Sequence, residues 1–186
     1  MLKVYIIFLI IPYGNSPDWE GASGYYSTGG GFCDINGDNY LDFIVSNGND
    51  MQRENNSIYF NINGTIEVYP SWLSLDYEYS GHLSINDFDN DGYIDFAVSN
   101  YLGPQGFISP GNVVIYKNLN GSVNTLPLWK SKDNTYNFSC DFGDVDGDGY
   151  AEIAIAGGES YTGNKEYIKI YKNNNGVIDT LPCYKS

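Results

Sequence analysis

The sequence predicts an all-β chain made of about three β-propeller blades, each of four antiparallel strands, which together form only part of a propeller. Three observations support this prediction. The 186 residues include 18 Tyr and 22 Gly, and only 17% of them are charged, a composition typical of short strands joined by polar turns. A nine-residue segment rich in Asp occurs three times. Each copy is followed by a short apolar run, then by a second run of strand type that ends in Asn-Gly.

Each repeated unit is predicted to contain four strands. The first leads into the Asp-rich loop, and the apolar run after the loop is the second, at residues 43–45, 96–98 and 153–155. A third strand lies around Tyr59, Tyr116 and Tyr171. The Asn-Gly pair that ends it is the strongest short signal for a hairpin, so a fourth strand should follow and end near the next Pro-x-Trp triplet. Four antiparallel strands in this up-and-down order describe a propeller blade.

Aromatic anchors mark the period of the repeat. A Pro-x-Trp triplet precedes every Asp-rich loop, and successive anchors lie roughly 55 residues apart, a period of the length that indicates a repeat architecture. The blades are therefore predicted to span residues 17–69, 70–126 and 127–181, and residues 182–186 are predicted to begin a fourth repeat. Residues 1–16 are either a signal-like segment or the last strand of a preceding blade. A Trp at one position of every unit is more simply explained by blade packing than by ligand binding.

The Asp-rich loops carry oxygen ligands at alternating positions, which lets a turning backbone point successive carboxylates at one cation. His, Cys and Met are absent from these positions, so a hard cation is indicated, and crowded carboxylates favour Ca²⁺ over Mg²⁺. About three Ca²⁺ ions are predicted. The predicted ligands, which include the main-chain carbonyl of the seventh residue, are Asp34, Asn36, Asp38, Tyr40 and Asp42, then Asp87, Asp89, Asp91, Tyr93 and Asp95, then Asp144, Asp146, Asp148, Tyr150 and Glu152.

Other interpretations of these loops are weaker. Asp-Gly and Asn-Gly pairs also make simple turns, but three or four acidic side chains within nine residues would repel one another without a cation. An EF-hand starts with the same spacing but needs Glu at position twelve, where this chain has Val45, Val98 and Ile155. The second loop, with four carboxylates and Gly92, is predicted to bind Ca²⁺ best, and the first, with three carboxylates, is predicted to bind it weakest.

Charge and hydropathy exclude some classes of partner. The 23 acidic and 9 basic residues give a formal net charge of -14, so nucleic acid, a polyanion, would be repelled. The apolar run at residues 1–11 is too short to cross a bilayer, and no membrane span is predicted. Cys33, Cys140 and Cys183 form no paired motif and are predicted to be small buried residues.

All variation in length among the units lies between the second and third strands, at residues 47–56, 100–112 and 157–165. In an up-and-down blade these connections lie on the face opposite the Asp-rich loops. Insertions in repeat proteins collect on one face, which is often the binding face. A glycan or protein ligand is therefore predicted to bind there, with candidate contact residues Arg53, Tyr101, Phe107 and Tyr161.

The loops quoted above, the apolar strand after each and the repeat length resemble the FG-GAP or VCBS repeat family, which forms the blades of integrin-α-like β-propellers. The resemblance covers residues 17–186. It implies calcium that keeps the blades rigid, and an extracellular or cell-surface protein that binds ligands in adhesion or in carbohydrate-related settings. Two positions depart from the family pattern, because Asn39 replaces the usual loop Gly and Glu152 the usual final Asp. Since Asn tolerates left-handed backbone, the first loop is still predicted to close.

These observations predict a calcium-binding recognition or adhesion module in which calcium is structural, and not an enzyme. One alternative is the catalytic or non-catalytic propeller part of a secreted carbohydrate-active enzyme, and another is a structural spacer. A catalytic pair needs two carboxyls in unlike environments, whereas the loop acids are repeated and equivalent. A partial propeller has open strand edges, so self-association or contact with further blades is predicted at its ends.

Overall fold

The structure is a computed structural model that describes residues 16–22, 24–160 and 163–185. The elements in these ranges are all strands, numbered here in chain order. Within the same ranges, no helix is long and apolar enough to cross a membrane. Two sequence predictions lie outside the described residues, namely the structure of the segment before Ser16 and the ligand contact at Tyr161.

Three antiparallel sheets follow one another along the chain, each with a core of four strands in the order first, second, third, last. The first sheet contains β1 (Ser27–Cys33), β2 (Asp42–Asn47), β3 (Ser57–Tyr59) and β6 (Trp72–Leu73). The second contains β7 (Tyr79–Asn86), β8 (Asp95–Gly103), β10 (Val113–Tyr116) and β13 (Trp129–Lys130). The third contains β14 (Asn137–Gly143), β15 (Glu152–Glu159), β17 (Lys169–Tyr171) and β18 (Tyr184–Lys185). The predicted all-β fold of partial propeller blades is confirmed.

Short additional strands form separate hairpins or pair with the sheets. Two small hairpins follow the third strands, formed by β4 (Asn61–Ile62) with β5 (Thr65–Ile66) and by β11 (Asn118–Leu119) with β12 (Ser122–Val123). Their Asn-Gly turns have positive φ at both residues, 54° and 88° for Asn63 and Gly64, as tight hairpin turns require. The variable connections add β9 (Gly106–Pro110), which pairs with β8, and β16 (Asn164–Lys165), which pairs with β15.

The fourth strand of each sheet begins at the aromatic anchor, whereas the sequence predicted a strand that ends near it. The residues after the first two Asn-Gly turns form the second strand of each small hairpin, and the aromatic anchor itself supplies the last strand of the sheet. Trp72 pairs with Ile58 and Trp129 with Ile115. Tyr184 pairs with Ile170 in the same way, so residues 184–185, predicted to belong to a fourth repeat, close the third sheet. The reason is that a constant spacing gives the length of the repeat but not the residue at which it begins. Spacing alone therefore does not show which residues form the sheet edge.

The sheets pack face to face, with β7 in contact with both β1 and β14. The first strands therefore lie next to one another, as the inner strands of neighbouring blades do. One apolar cluster lies between the first two sheets and includes Ile44, Ile58, Phe96, Val98 and Tyr116. A second cluster lies between the last two sheets and includes Ala97, Ile115, Ile153, Ile155 and Tyr171.

The repeated Trp residues connect each sheet to the next. The Trp72 indole packs edge-on against Phe96 and Tyr116, with ring centroids 5.8 and 5.7 Å away, and its N–H donates to the Val123 carbonyl at 3.1 Å. Trp129 repeats this contact with Tyr171 at 5.6 Å and donates to the Ile178 carbonyl at 2.9 Å. The predicted packing role of the Trp residues is confirmed, with the addition that the packing is between sheets.

The cysteines divide into two groups. Cys33 and Cys140 are buried, as predicted, and burial raises the pKa of each thiol to about 12. Cys183 is exposed, contrary to the prediction. It directly precedes β18 at the edge of the third sheet, the last sheet among the described residues.

Candidate metal sites

The three Asp-rich loops join the first strand to the second in every sheet, so they lie at the same end of the three sheets. Their backbones repeat one shape, with positive φ at the fourth and sixth positions. The sixth position has φ 69° at Asn39, 89° at Gly92 and 91° at Gly149. Asn39 therefore adopts the left-handed conformation that the sequence predicted, and the first loop closes like the other two.

Each loop is organised around its first Asp. Asp34 accepts hydrogen bonds from the backbone N–H groups of Gly37 at 2.8 Å, Asp38 at 3.0 Å and Asn39 at 2.8 Å. Asp144 accepts the equivalent three bonds, and Asp87 accepts two of them. The acid at the fifth position of each loop accepts a hydrogen bond from the backbone N–H of the seventh residue. The donors are Tyr40, Tyr93 and Tyr150, at 2.9, 3.0 and 2.9 Å. These bonds hold the carboxylates above the turn.

Carboxylate oxygens converge in two of the three loops. Oxygens of Asp87, Asp89 and Asp91 all lie within 4.8 Å of one another, and so do those of Asp144, Asp146 and Glu152. In the first loop, the Asn36 side-chain amide donates to Asp38 at 3.2 Å. A donor set of oxygens without nitrogen or sulfur fits a hard divalent cation such as Ca²⁺.

The ninth-position acid of each loop is buried beneath the loop. Asp42, Asp95 and Glu152 are at most 2% exposed. Asp42 accepts from the N–H of Ile35 at 3.1 Å and of Asn61 at 2.8 Å, and Glu152 accepts from Val145 at 2.9 Å and Asn173 at 3.2 Å. Burial raises the pKa of Asp42, and it raises the pKa of Asp95 to about 7. This acid therefore ties the loop to the segment after the third strand.

The loops also carry the family signature. A model of the FG-GAP-like repeat matches residues 34–98 and 87–155, and each match begins at the first Asp of a loop. The chain belongs to the FG-GAP-like repeat family. The resemblance seen in the sequence is therefore confirmed. Each matched FG-GAP-like segment begins at one Asp-rich loop and ends in the strand that follows the next Asp-rich loop. No curated protein matches the chain.

One Asn per FG-GAP-like repeat was not singled out from the sequence. In the second repeat this residue is Asn118, whose side-chain amide donates to the carbonyl of Ile94, the eighth residue of the loop in the same repeat, at 3.0 Å. It also reaches the preceding repeat, from Asn118 to the Ile35 carbonyl at 2.7 Å. Asn173 makes the equivalent pair of bonds, to Ala151 and Phe88. The signal was an Asn two residues before each Asn-Gly pair. Asn118 and Asn173 fasten the first and second loops to the repeat that follows each.

Two lysines also enter the loops of the FG-GAP-like repeats and were missed. The Lys117 ammonium lies 2.7 Å from Asp89, 2.9 Å from Asp91 and 3.3 Å from Asp95. Lys172 contacts Asp146, Asp148 and Glu152 in the third loop, at 3.2 Å from Asp148 and 3.5 Å from Glu152. Each lysine follows the repeated Tyr of the third strand. Strand pairing brings it to acids more than twenty residues away in the chain.

On the opposite face, the predicted ligand residues are more enclosed than expected. Arg53 is half-buried, pairs with Glu78 at 3.6 Å and lies over the rings of Tyr77 and Tyr79. Tyr101 is only 3% exposed. It packs in a cluster that includes Tyr136 and Phe107. Tyr101, a candidate ligand contact, is enclosed in this way because β8 and β9 turn much of this connection into sheet.

A cavity of about 370 Å³ lies on this opposite face, at the end of the inner strands away from the loops. Its lining includes Thr28, Ser80 and His82 at the inner strands, Asn49 from a variable connection, and the rings of Tyr101 and Phe138. The Phe138 side chain is 54% exposed, and its ring centroid lies 4.3 Å from that of Tyr101. The sequence pattern did not point to Phe138, because it lies in a first strand and not in a variable connection.

Proposed function

We propose that this chain is a calcium-stabilised recognition or adhesion module that works outside the cell. The observation that carries the proposal is the threefold repetition of one loop geometry, in which a first Asp fixes the backbone. In the second and third loops, further carboxylates gather above it. Family membership supports the same function, since FG-GAP-like repeats suggest an adhesion or recognition module.

Calcium would be held by the fifteen loop ligands predicted from the sequence, five in each loop. When bound, the ion supplies positive charge that offsets the repulsion among the carboxylates. The protein's own part is to present the oxygens. The first Asp orders the turn, and the repeated Asn fastens the loop to the next sheet. Stiffening a loop therefore stiffens a contact between sheets, which is a structural role.

The ligand, a glycan or a protein, is proposed to bind in the cavity on the face opposite the loops. Phe138 offers an exposed ring there, and Tyr101 supports it from behind. A ring of this kind suits the apolar face of a sugar or an apolar side chain. Thr28, Ser80 and Asn49 surround it with hydroxyl and amide groups that suit hydrogen bonding. Polyanionic ligands are disfavoured by the net charge of -14.

A hydrolytic role for the loop acids has less support. An acid that donates a proton to a bound sugar has to reach it, whereas Asp42, Asp95 and Glu152 are buried and engaged with backbone N–H groups or with lysine. The acids at the first and fifth loop positions recur in all three copies, which suits ligation. The carbohydrate-active alternative therefore stays second to recognition.

The test is to screen the calcium-loaded chain against neutral oligosaccharides and a displayed peptide library, and then to measure affinity for the best probe in each class. Phe138→Ala should weaken binding about fivefold or more, because stacking on an aromatic ring stabilises a complex by about 1 kcal/mol or more. Phe32→Ala is the matched control, since Phe32 is 58% exposed but lies near the first loop. Equal losses in both variants, or a loss only in Phe32→Ala, would show that this cavity is not the binding site.

A further inference from the structure

A lysine ammonium lies at the centre of the second loop. Lys117 makes contacts of 2.7, 2.9 and 3.3 Å with the carboxylates of Asp89, Asp91 and Asp95. The Lys117 side chain is 5% exposed, and Asp95 beside it is fully buried. An exposed lysine on the rim would contact one acid and remain in water. Lys117 instead reaches three of the acids that are predicted to hold the metal, so its ammonium occupies the space between them.

The third loop repeats this arrangement and the first does not. Lys172 takes the place of Lys117 and contacts Asp146, Asp148 and Glu152. In the first repeat the same position, directly after the repeated Tyr, is Phe60, which packs against the apolar cluster between the first two sheets. The first loop also has one carboxylate fewer, since Asn36 stands where the others have Asp89 and Asp146.

The two differences compensate each other. Counting the lysine with its loop, the formal charge is -3 in every repeat: three acids in the first, and four acids with one lysine in the second and third. A lysine is present only where the fourth acid is present. The amide of Asn36, which donates to Asp38 at 3.2 Å, partly relieves the repulsion in the loop that has no lysine.

We propose that Lys117 and Lys172 are built-in cations, which hold the second and third loops together in the metal-free chain and must leave before Ca²⁺ binds there. An ammonium and a calcium ion cannot share one set of carboxylates, because they repel each other at this distance. The first loop has no such competitor, so it binds calcium first and most tightly. This reverses the order expected from the number of carboxylates alone, and it rests on the proposed calcium-binding function.

The experiment is calorimetric titration of the 186-residue chain with CaCl₂, together with three single variants. The wild-type chain should show one tighter site and two weaker ones. Lys117→Met removes the charge but keeps the length of the side chain, and it should tighten one weaker site by about tenfold or more, since a competing charge is gone. Phe60→Lys should weaken the tightest site by a similar factor. Lys165→Met, at an exposed position on the opposite face, is the control with the same change in net charge and should leave all three affinities unchanged.

A second measurement keeps the test decisive if Lys117→Met is unstable without metal. Thermal unfolding in EDTA should show a lower Tm for Lys117→Met than for Lys165→Met, and calcium should abolish the difference. If the chain binds calcium but Lys117→Met and Phe60→Lys leave every affinity unchanged, the inference is wrong while the proposed function stands. If none of the four proteins binds calcium, both are wrong.

Discussion

At the scale of single residues, acids outside the loops have a separate structural task. Asp76 accepts a hydrogen bond from the Tyr116 hydroxyl at 2.6 Å, and Asp133 accepts one from the Tyr171 hydroxyl at 2.5 Å. Asp133 also pairs with the buried Lys169 ammonium at 2.7 Å. Burial favours the neutral form of Asp133, but the hydrogen bonds from Lys169 and Tyr171 outweigh it and lower its pKa below the usual value of 3.8.

This lowered pKa predicts how stability depends on pH. A carboxyl whose pKa is lower in the folded state stabilises the protein at a pH above its unfolded pKa, and this stabilisation is lost as the pH falls through the folded value. Asp133→Asn should therefore reduce the free energy of unfolding by about 2 kcal/mol at neutral pH, because it leaves the buried Lys169 unpaired. The deficit should shrink below about pH 4. Urea unfolding of both proteins at pH 7 and pH 3 checks this, and a deficit of the same size at both pH values would contradict it.

Residues that act within nine positions of one another are predictable from the sequence. The loop acids and the left-handed Asn39 follow from local backbone chemistry, and the structure places the first, third and fifth acids of the second loop together. Lys117 could not be assigned in this way, because it reaches Asp95 only through the pairing of β8 with β10. Phe138 was missed for a similar reason, since the cavity that it lines is formed by segments distant in sequence.

At the scale of elements, the strand order was predictable and the sheet edge was not. The Asn-Gly turns and the apolar runs fixed the first three strands of each unit. The last strand is only two residues long, and its pairing partner is not visible in a periodic pattern. Trp72 therefore appeared to open the second unit, whereas it ends the first sheet and packs on the second.

The short last strand allows a direct comparison of its two residues. Trp72 is 8% exposed and contacts Phe96 and Tyr116, whereas the neighbouring Leu73 is 41% exposed. Trp72→Ala should cost about 3–5 kcal/mol of unfolding free energy. Leu73→Ala, the control on the same strand, should cost less than about 1 kcal/mol. Denaturant titrations of the two variants measure these losses of unfolding free energy. Losses of similar size would mean that Trp72 does not hold the first two sheets together.

At the scale of the whole molecule, the outward face of the third sheet is exposed, whereas the corresponding faces of the first two sheets are covered. The second loop residue is buried between sheets in the first two units, with Ile35 2% and Phe88 6% exposed. The same position in the third unit is Val145, which is 63% exposed, and Tyr184 nearby is 53% exposed where Trp72 is buried. These apolar residues lie at positions that are packed between sheets in the other units, but no sheet covers them among the described residues. We therefore expect this face to bind another sheet.

Self-association of the isolated chain is the expected consequence. Light scattering after size-exclusion chromatography should show a mass that rises with concentration. Val145→Asp should shift the chain towards monomer, because a charge in the packed face is costly. Ile108→Asp, which changes an exposed residue of β9, should leave the mass unchanged. A monomer at every concentration would refute the expectation.

Calcium is expected to stabilise this fold through the Asp-rich loops, and calorimetric unfolding of the chain in excess Ca²⁺ and in EDTA measures that effect. Affinities on the order of 10⁻⁴ to 10⁻³ M are typical of extracellular calcium modules. At such an affinity, calcium in several-tenfold excess over Kd stabilises the folded state by about 2 kcal/mol per filled site. For a chain of this length, that predicts a Tm higher by roughly 5 °C or more, with a smaller rise in Mg²⁺. An equal Tm in calcium and in EDTA would show that calcium does not stabilise this fold.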